Sequence, residues 1–244
     1  MRDIIQWTIT GLLYVWGGFC AVLLMLVILI AALLFPIGRY EQVIIQGCRI
    51  FLALIGIQVT TEGYEHVDED ETYIFMANHV NIFDVFVLGG LIPGVKRGVE
   101  ASEHFSWPLW GWMVRRLGNI PIERTNLSEA KRSLEAAATA VGDGISIVIL
   151  PEGHRTRDGG FQQFKKGPFH MAKAAGVPII PMGMIGMWEI KQYHNPHWRP
   201  GPIHVRYGKP IPAETVKSSS VEELRELTHN AIGDLIDYDE TPRR

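Results

Sequence analysis

Residues 145–186 read ISIVILPEGHRTRDGGFQQFKKGPFHMAKAAGVPIIPMGMIG, and the order of patterns inside them decides the fold. An apolar run, ISIVIL, reads as a strand. A polar, glycine-containing loop follows, then the helical pattern of GPFHMAKAAG, a Gly-Val-Pro break and a second apolar run, IIPMGMIG. A strand, a crossover helix and another strand in that order argue for a mostly parallel sheet covered by helices.

The alternation continues on both sides. Immediately upstream, SEAKRSLEAAATAVGDG (128–144) predicts a helix with Ser128 as N-cap and glycines at its end. Further upstream, IQVTTEG (57–63) and YIFMANH (73–79) predict strands; downstream, PIHVRYGKPI (202–211) predicts a late one. The helix SSSVEELRELTHNAIGDLI (218–236) opens on a capping box of Ser220 and Glu223 and sets Leu224, Leu227, Ala231 and Leu235 on one face. The expected fold class is α/β, with a mostly parallel mixed sheet flanked by helices.

The N-terminus differs in kind. No charged residue lies between Asp3 and Arg39, and WTITGLLYVWGGFCAVLLMLVILIAALLF (7–35) exceeds the ~20 residues that cross a bilayer. The flank FPIGRYEQ lacks the small-residue cleavage site of a signal peptide, so an uncleaved membrane segment is expected. The next apolar piece, VIIQGCRIFLALIGIQV (43–59), is broken by Gln46 and Arg49. It fits an interfacial helix, the second arm of a pair dipping into one leaflet, or a core helix of the following domain. Trp7, Tyr14, Trp16 and Tyr40 suit a lipid–water interface. The expected organisation is a membrane helix or helix pair over 1–56 and a catalytic domain over 57–244.

Bulk composition narrows the partners. The chain of 244 residues carries a formal charge of -3, with an isoelectric point near 6.3, which argues against nucleic acid. Cys20 and Cys48 sit in or beside the apolar N-terminus and read as reduced thiols. With no Walker loop or dinucleotide fingerprint, no nucleotide cofactor is expected. The histidines of HNPHW (194–198) lack a nearby ligand set, and a turn is the better reading than a metal site; no metal is expected.

Chemistry concentrates in FMANHVNIFDVF (75–86). A carboxylate on one ring nitrogen fixes a histidine's tautomer and steadies the imidazolium, so Asp84 suits His79 as the partner of a general base. On a continuous helix the two side chains would point ~140° apart, so the pairing requires a strand-to-helix turn between them. From these residues alone, a satisfied histidine with Asp84 as an N-cap is an equal reading. Three further stretches place polar residues after strands, where α/β sheets put their sites: Arg124 in LGNIPIER, Glu152, Gly153 and Arg155 in LPEGHRTRDG, and the end of VPIIPMG. Arg155 also has an ion pair with Glu152 or Asp158 as an alternative.

These four blocks, in this order, resemble the glycerolipid acyltransferases, the lysophosphatidic acid acyltransferases in particular. The first block, N-H-x-x-x-x-D, is matched by Asn78, His79 and Asp84. The second is matched by Gly118, Ile120, Ile122 and Arg124, the third by Pro151, Glu152, Gly153 and Arg155, and the fourth by Val177, Pro178, Ile179 and Pro181. The likeness covers roughly 57–212. It implies His79 and Asp84 as catalytic, Asn78 and Gly153 as oxyanion or motif support, and Arg124, Glu152, Arg155 and Lys165 as the acceptor phosphate site. It implies acyl-CoA or acyl carrier protein as co-substrate, a lysophospholipid as acceptor, and a lipid bilayer as partner. The catalytic domain is expected on the cytoplasmic face, at a bacterial inner membrane. Two positions depart from the family pattern: His154 stands where threonine is usual, and the region of Ala101 lacks a common lysine. Another lysolipid acceptor, a thioesterase or hydrolase using the same pair, and a non-catalytic membrane scaffold are the alternative readings. The tryptophans of FSWPLWGWMV (105–114) suit either an acyl-chain groove or plain packing.

Overall fold

The computed structural model describes residues 2–122 and 127–237. Two helices come first, α1 (Arg2–Leu34) and α2 (Ile37–Leu54), followed by β1 (Ile57–Glu62), β2 (Ile74–Ala77), α3 (Asp84–Leu91) and β3 (Lys96–Ala101). Then come α4 (Trp110–Leu117), β4 (Ile120–Ile122), α5 (Leu127–Gly142), β5 (Ser146–Ile149), α6 (Gly167–Ala175), β6 (Ile179–Ile185) and α7 (Met187–Ile190). The chain closes with β7 (Gly201–Tyr207), α8 (Ala213–Ser218) and α9 (Val221–Leu235).

One seven-stranded sheet has the order β1-β7-β6-β2-β5-β3-β4. All neighbours are parallel except β6 and β7. The stretch that opened the sequence reading gives β5, α6 and β6, with β2 inserted between its two strands. All four residues of β2 are buried, and so are the first six of β6. Continuous apolar runs are what a sheet covered on both faces requires. The capping box of Ser220 and Glu223 is formed. Ser128 lies inside the first turn of α5, which begins at Leu127, a shift of a residue or two that is ordinary at helix ends.

The N-terminal helices pack against the sheet domain. Helix α1 is long and apolar enough to cross a membrane; its 33 residues span about 50 Å. One side of it docks on the protein along most of that length. Near its start Thr10 Oγ1 lies 2.6 Å from His197 Nδ1 and Tyr14 donates to the Pro196 carbonyl; near its end the Ala32 carbonyl accepts from Arg116. The other side exposes Val15, Phe19, Leu23, Ile30 and Leu33, while Trp7 packs on His197 and Trp16 donates to the Leu54 carbonyl at the edges of the docked side.

Helix α2 packs one face on the sheet domain and leaves Ile37, Ile50 and Leu54 exposed on the other. Ile44, Cys48, Phe51 and Leu52 are buried in the same cluster as Phe75, Val87 and Val205 of the sheet domain. Tyr40, expected at an interface, is buried as well. The boundary at 56/57 therefore falls in a real turn, while the hydrophobic core runs across it.

Candidate active site

The turn between β2 and α3 is built around one carboxylate. Asp84, the first residue of α3, is 1% exposed. Its Oδ2 accepts from Val80 N at 2.7 Å and from His79 Nδ1 at 2.7 Å, and both of its oxygens accept from Asn81 N at 3.1 Å. A buried carboxylate survives desolvation only with such partners. The strand-to-helix turn required by the sequence reading is thus present. With its Nδ1–H committed to Asp84, the neutral ring carries its lone pair on Nε2. His79 itself lines a cavity of about 1500 Å³.

Neighbouring groups hold this turn from behind. Glu152 Oε1 accepts the His79 N–H at 2.7 Å, and Thr156 N donates to the His79 carbonyl at 2.9 Å. Glu152 is 1% exposed. Burial pushes its carboxyl up to about 8, and the Asp84 charge pushes the same way; the His79 amide, and more weakly the Gln162 amide, oppose the shift. The two carboxyls thus differ in kind: Asp84 sits among donors, whereas Glu152 is mostly neutral at pH 7. Asn78 spends its amide on β6, donating to Met184 O at 3.0 Å and accepting from Met184 N at 2.7 Å.

The predicted site residues, Arg124 apart, take definite places. His79 and Asp84 are paired. Asn78 ties the turn to the sheet, its carboxamide engaged with backbone. Gly153 has φ 77°, a left-handed conformation that favours glycine, and its N–H donates to the Leu150 carbonyl at 3.0 Å. Glu152 lies behind His79 and is absent from the cavity wall, whereas Arg155 and Lys165 line it. Arg124 lies outside the described residues. His154 is exposed, and its Nδ1 lies 3.4 Å from the Arg155 carbonyl. Ala101 lines the cavity beside His104, whose Nδ1 is 3.4 Å from Glu100. His197 binds Thr10, and His194 packs edge-on against Tyr193.

The cavity wall is mostly apolar. Ile82, Val85 and Phe86 of the α3 region, Trp107 and Trp110, and Leu24, Met25 and Ile28 of α1 contribute to it. It extends along the whole of β3, from Ala101 to Lys96, roughly 17 Å at the rise of a strand. At the far end Lys96 Nζ pairs with Glu41 Oε1 at 2.9 Å, both side chains being buried. Ile82 and Trp107 line the cavity and are at the same time 44% and 51% exposed, so apolar surface reaches from the cavity to the outside. Trp107 and Trp110 therefore belong to the groove, while Trp112 faces outward at 53% exposure. Gly111 is required where α4 begins, since a Cβ there would come within 2.2 Å of the Phe105 carbonyl oxygen.

Sequence reasoning passed over Asn81 and the Glu41–Lys96 pair. Asn81 donates to Met187 O at 2.6 Å and accepts from Phe83 N at 2.8 Å, so its side chain shapes the His79–Asp84 turn. An Asn in a tight turn, three residues before an Asp, was the available signal. The Glu41–Lys96 pair joins α2 to β3, and no local pattern announces a contact between residues so far apart in the chain.

Comparison with known proteins gives one answer. The acyltransferase family model matches residues 58–185. The chain is 30% identical over 206 residues to the 1-acyl-sn-glycerol-3-phosphate acyltransferase of Cocos nucifera, covering 83% of this chain and 66% of that protein. It is 31% identical over 195 residues to the corresponding protein of Limnanthes douglasii, covering 80% and 68%. The chain thus spans about two thirds of the length of these relatives. The fold is that of the crystal structure of the LPA acyltransferase PlsC from Thermotoga maritima, with a TM-score of 0.79 at 21% identity over 99% of this chain and 100% of that one. The paired His79 and Asp84 lie within the matched segment, and the chain belongs to the acyltransferase family, among the 1-acyl-sn-glycerol-3-phosphate acyltransferases.

Proposed function

We propose that the protein transfers a fatty acyl group from an acyl thioester, on coenzyme A or acyl carrier protein, to the free hydroxyl of lysophosphatidic acid, yielding phosphatidic acid for phospholipid synthesis. The observation that carries this is the His79–Asp84 pair, 2.7 Å apart, beside an apolar cavity that Arg155 also lines. His79 Nε2 takes the proton of the acceptor hydroxyl as its oxygen attacks the thioester carbonyl. The imidazolium so formed rests on the Asp84 carboxylate and then returns the proton to the departing thiolate. The apolar wall suits an acyl chain. The guanidinium of Arg155, with Arg124 as its expected companion, offers the fork that suits a phosphate monoester.

The outward face of α1 and the apolar rim of the cavity support a membrane location. In this reading α1 lies with its exposed face in the cytoplasmic leaflet, and the acceptor enters from the lipid. The test is a panel assay: labelled acyl-CoA and acyl carrier protein, with and without lysophosphatidic acid and other lysolipids. Acylation confined to lysophosphatidic acid, abolished by His79→Ala, is the expected result. Release of free fatty acid irrespective of acceptor would instead establish a hydrolase, and acylation of another lysolipid would move the acceptor assignment.

A further inference from the structure

Beside the catalytic turn, on the flank formed by α7 and the loop after it, two guanidinium groups share one aromatic ring. Arg155 Cζ lies 5.1 Å from the centroid of Tyr193, and Arg157 Cζ lies 5.8 Å from it. The ring is 39% exposed. Lys191 stands at the base of the same loop and feels the charge of Arg155: burial first, then that repulsion, holds its ammonium below the usual lysine range. Among the described residues, no carboxylate lies within ion-pairing distance of Arg155, Arg157 or Lys191. Asp158, the nearest acid in sequence, instead accepts from Thr156 Oγ1 and Gly160 N. The ion pair of Arg155 with Glu152 or Asp158, an alternative from the sequence, is not formed.

The loop that presents Tyr193 is tied down at both ends. Lys191 Nζ donates to the carbonyls of Gln192 and Asn195, and Lys191 bridges to Trp198. On the other side Arg199 N donates to the Ile190 carbonyl at 2.9 Å, and Pro196 and His197 are fastened to α1. Three cations gathered on a fixed ledge without a counter-charge repel one another, and an anion relieves that cost. An exposed ring flanked by guanidinium forks matches a ligand that combines a flat base with phosphates.

We propose that this ledge of Arg157, Tyr193 and Lys191 binds the adenosine 3′,5′-bisphosphate portion of an acyl-CoA donor. The proposal rests on the acyl-transfer reading and assigns the donor within it. Arg155 marks the border: it belongs both to the ledge and to the wall of the cavity that holds His79. A thioester placed at His79 must carry its nucleotide outside the cavity at the end of the pantetheine arm, and the ledge lies next to the cavity on that flank. One ring with the cations Arg157 and Lys191, and Arg155 at the border, fits a nucleotide; docking of a carrier protein needs a far wider face.

Adenosine 3′,5′-bisphosphate itself is the probe, titrated calorimetrically into the full-length protein in detergent, so that binding is read without turnover. Binding to the wild type that weakens about tenfold in Arg157→Gln and in Tyr193→Ala, with Arg157→Lys intermediate, is the expected result. In the assay, the KM for acyl-CoA rises by the same factor in these variants, while the KM for lysophosphatidic acid, kcat and the melting temperature stay at wild-type values. Failure of the wild type to bind the bisphosphate, or equal binding by all variants, overturns the assignment. So does a change confined to the KM of the lysolipid, to acyl carrier protein as donor, or to flotation with anionic vesicles. A wild type that binds the bisphosphate but acylates no lysolipid would overturn the acyl-transfer reading and leave the ledge standing.

Discussion

Asp84→Asn tests the catalytic turn because the structure gives that carboxylate two tasks. It accepts from His79 Nδ1 and from two backbone amides, those of Val80 and Asn81, at 2.7 to 3.1 Å. An asparagine has one acceptor oxygen. If that oxygen takes the place of Oδ2, the bonds to His79 and Val80 persist without their charge, and the new NH₂ faces the Asn81 N–H. If it takes the place of Oδ1, the NH₂ faces Val80 N–H and His79 Nδ1, and the ring must move its proton to Nε2, which destroys the base. Losing charge assistance in three contacts, each worth ~1.5–3 kcal/mol when charged and about half that when neutral, costs ~2–4 kcal/mol of stability. Loss of the counter-charge to the imidazolium lowers kcat by at least ~100-fold. His79→Ala separates the two tasks: it removes the base and leaves both backbone donors on Asp84, so turnover vanishes while stability falls only by the single lost contact, ~1.5–3 kcal/mol. The assays are steady-state acyl transfer and thermal unfolding of purified protein in detergent. Turnover of Asp84→Asn within about tenfold of wild type would refute the base assignment. Loss of turnover with wild-type stability would refute the role of the carboxylate in holding the turn.

Two further outcomes follow from particular residues. Because the Glu152 carboxyl is raised from 4.5 to about 8 by burial, the folded chain holds a proton there that the unfolded chain releases. That contribution to stability is complete below pH 4.5 and declines, by up to ~1.4 kcal/mol per pH unit, until pH passes about 8. Glu152→Gln removes that slope, and melting temperatures across the interval check it; an unchanged slope assigns the pH dependence elsewhere. Val15→Glu with Ile30→Glu places charge on the outward face of α1, at residues 74% and 54% exposed. Flotation with vesicles should fall sharply while the melting temperature holds, and undiminished flotation would remove that face from the membrane.

What the sequence showed plainly is what depends on short range. The strand runs of β5 and β6, the crossover helix α6 and the Ser220–Glu223 capping box are local patterns, and the structure contains each. His79 and Asp84 were legible for the same reason, since a turn of five residues brings them together. Helix α2 was not. Its apolar pattern suits lipid as well as protein, and the packing of Cys48 and Phe51 with α3 and the sheet joins residues far apart in the chain. The family resemblance implies Glu152 in the phosphate site; its buried position behind His79 depends on β2 and β5 being neighbours, which no local pattern states. The same limit applies to the basic ledge. Arg155 and Arg157 lie in one loop and Tyr193 in another, and the pairing of β2 with β6 places the second loop beside the catalytic turn. Histidine and its partner are set by neighbours in the chain, whereas the groups that would choose the donor are set by the order of the sheet. Substitutions at Arg157 or Tyr193 therefore alter donor use without touching the turn that carries the chemistry.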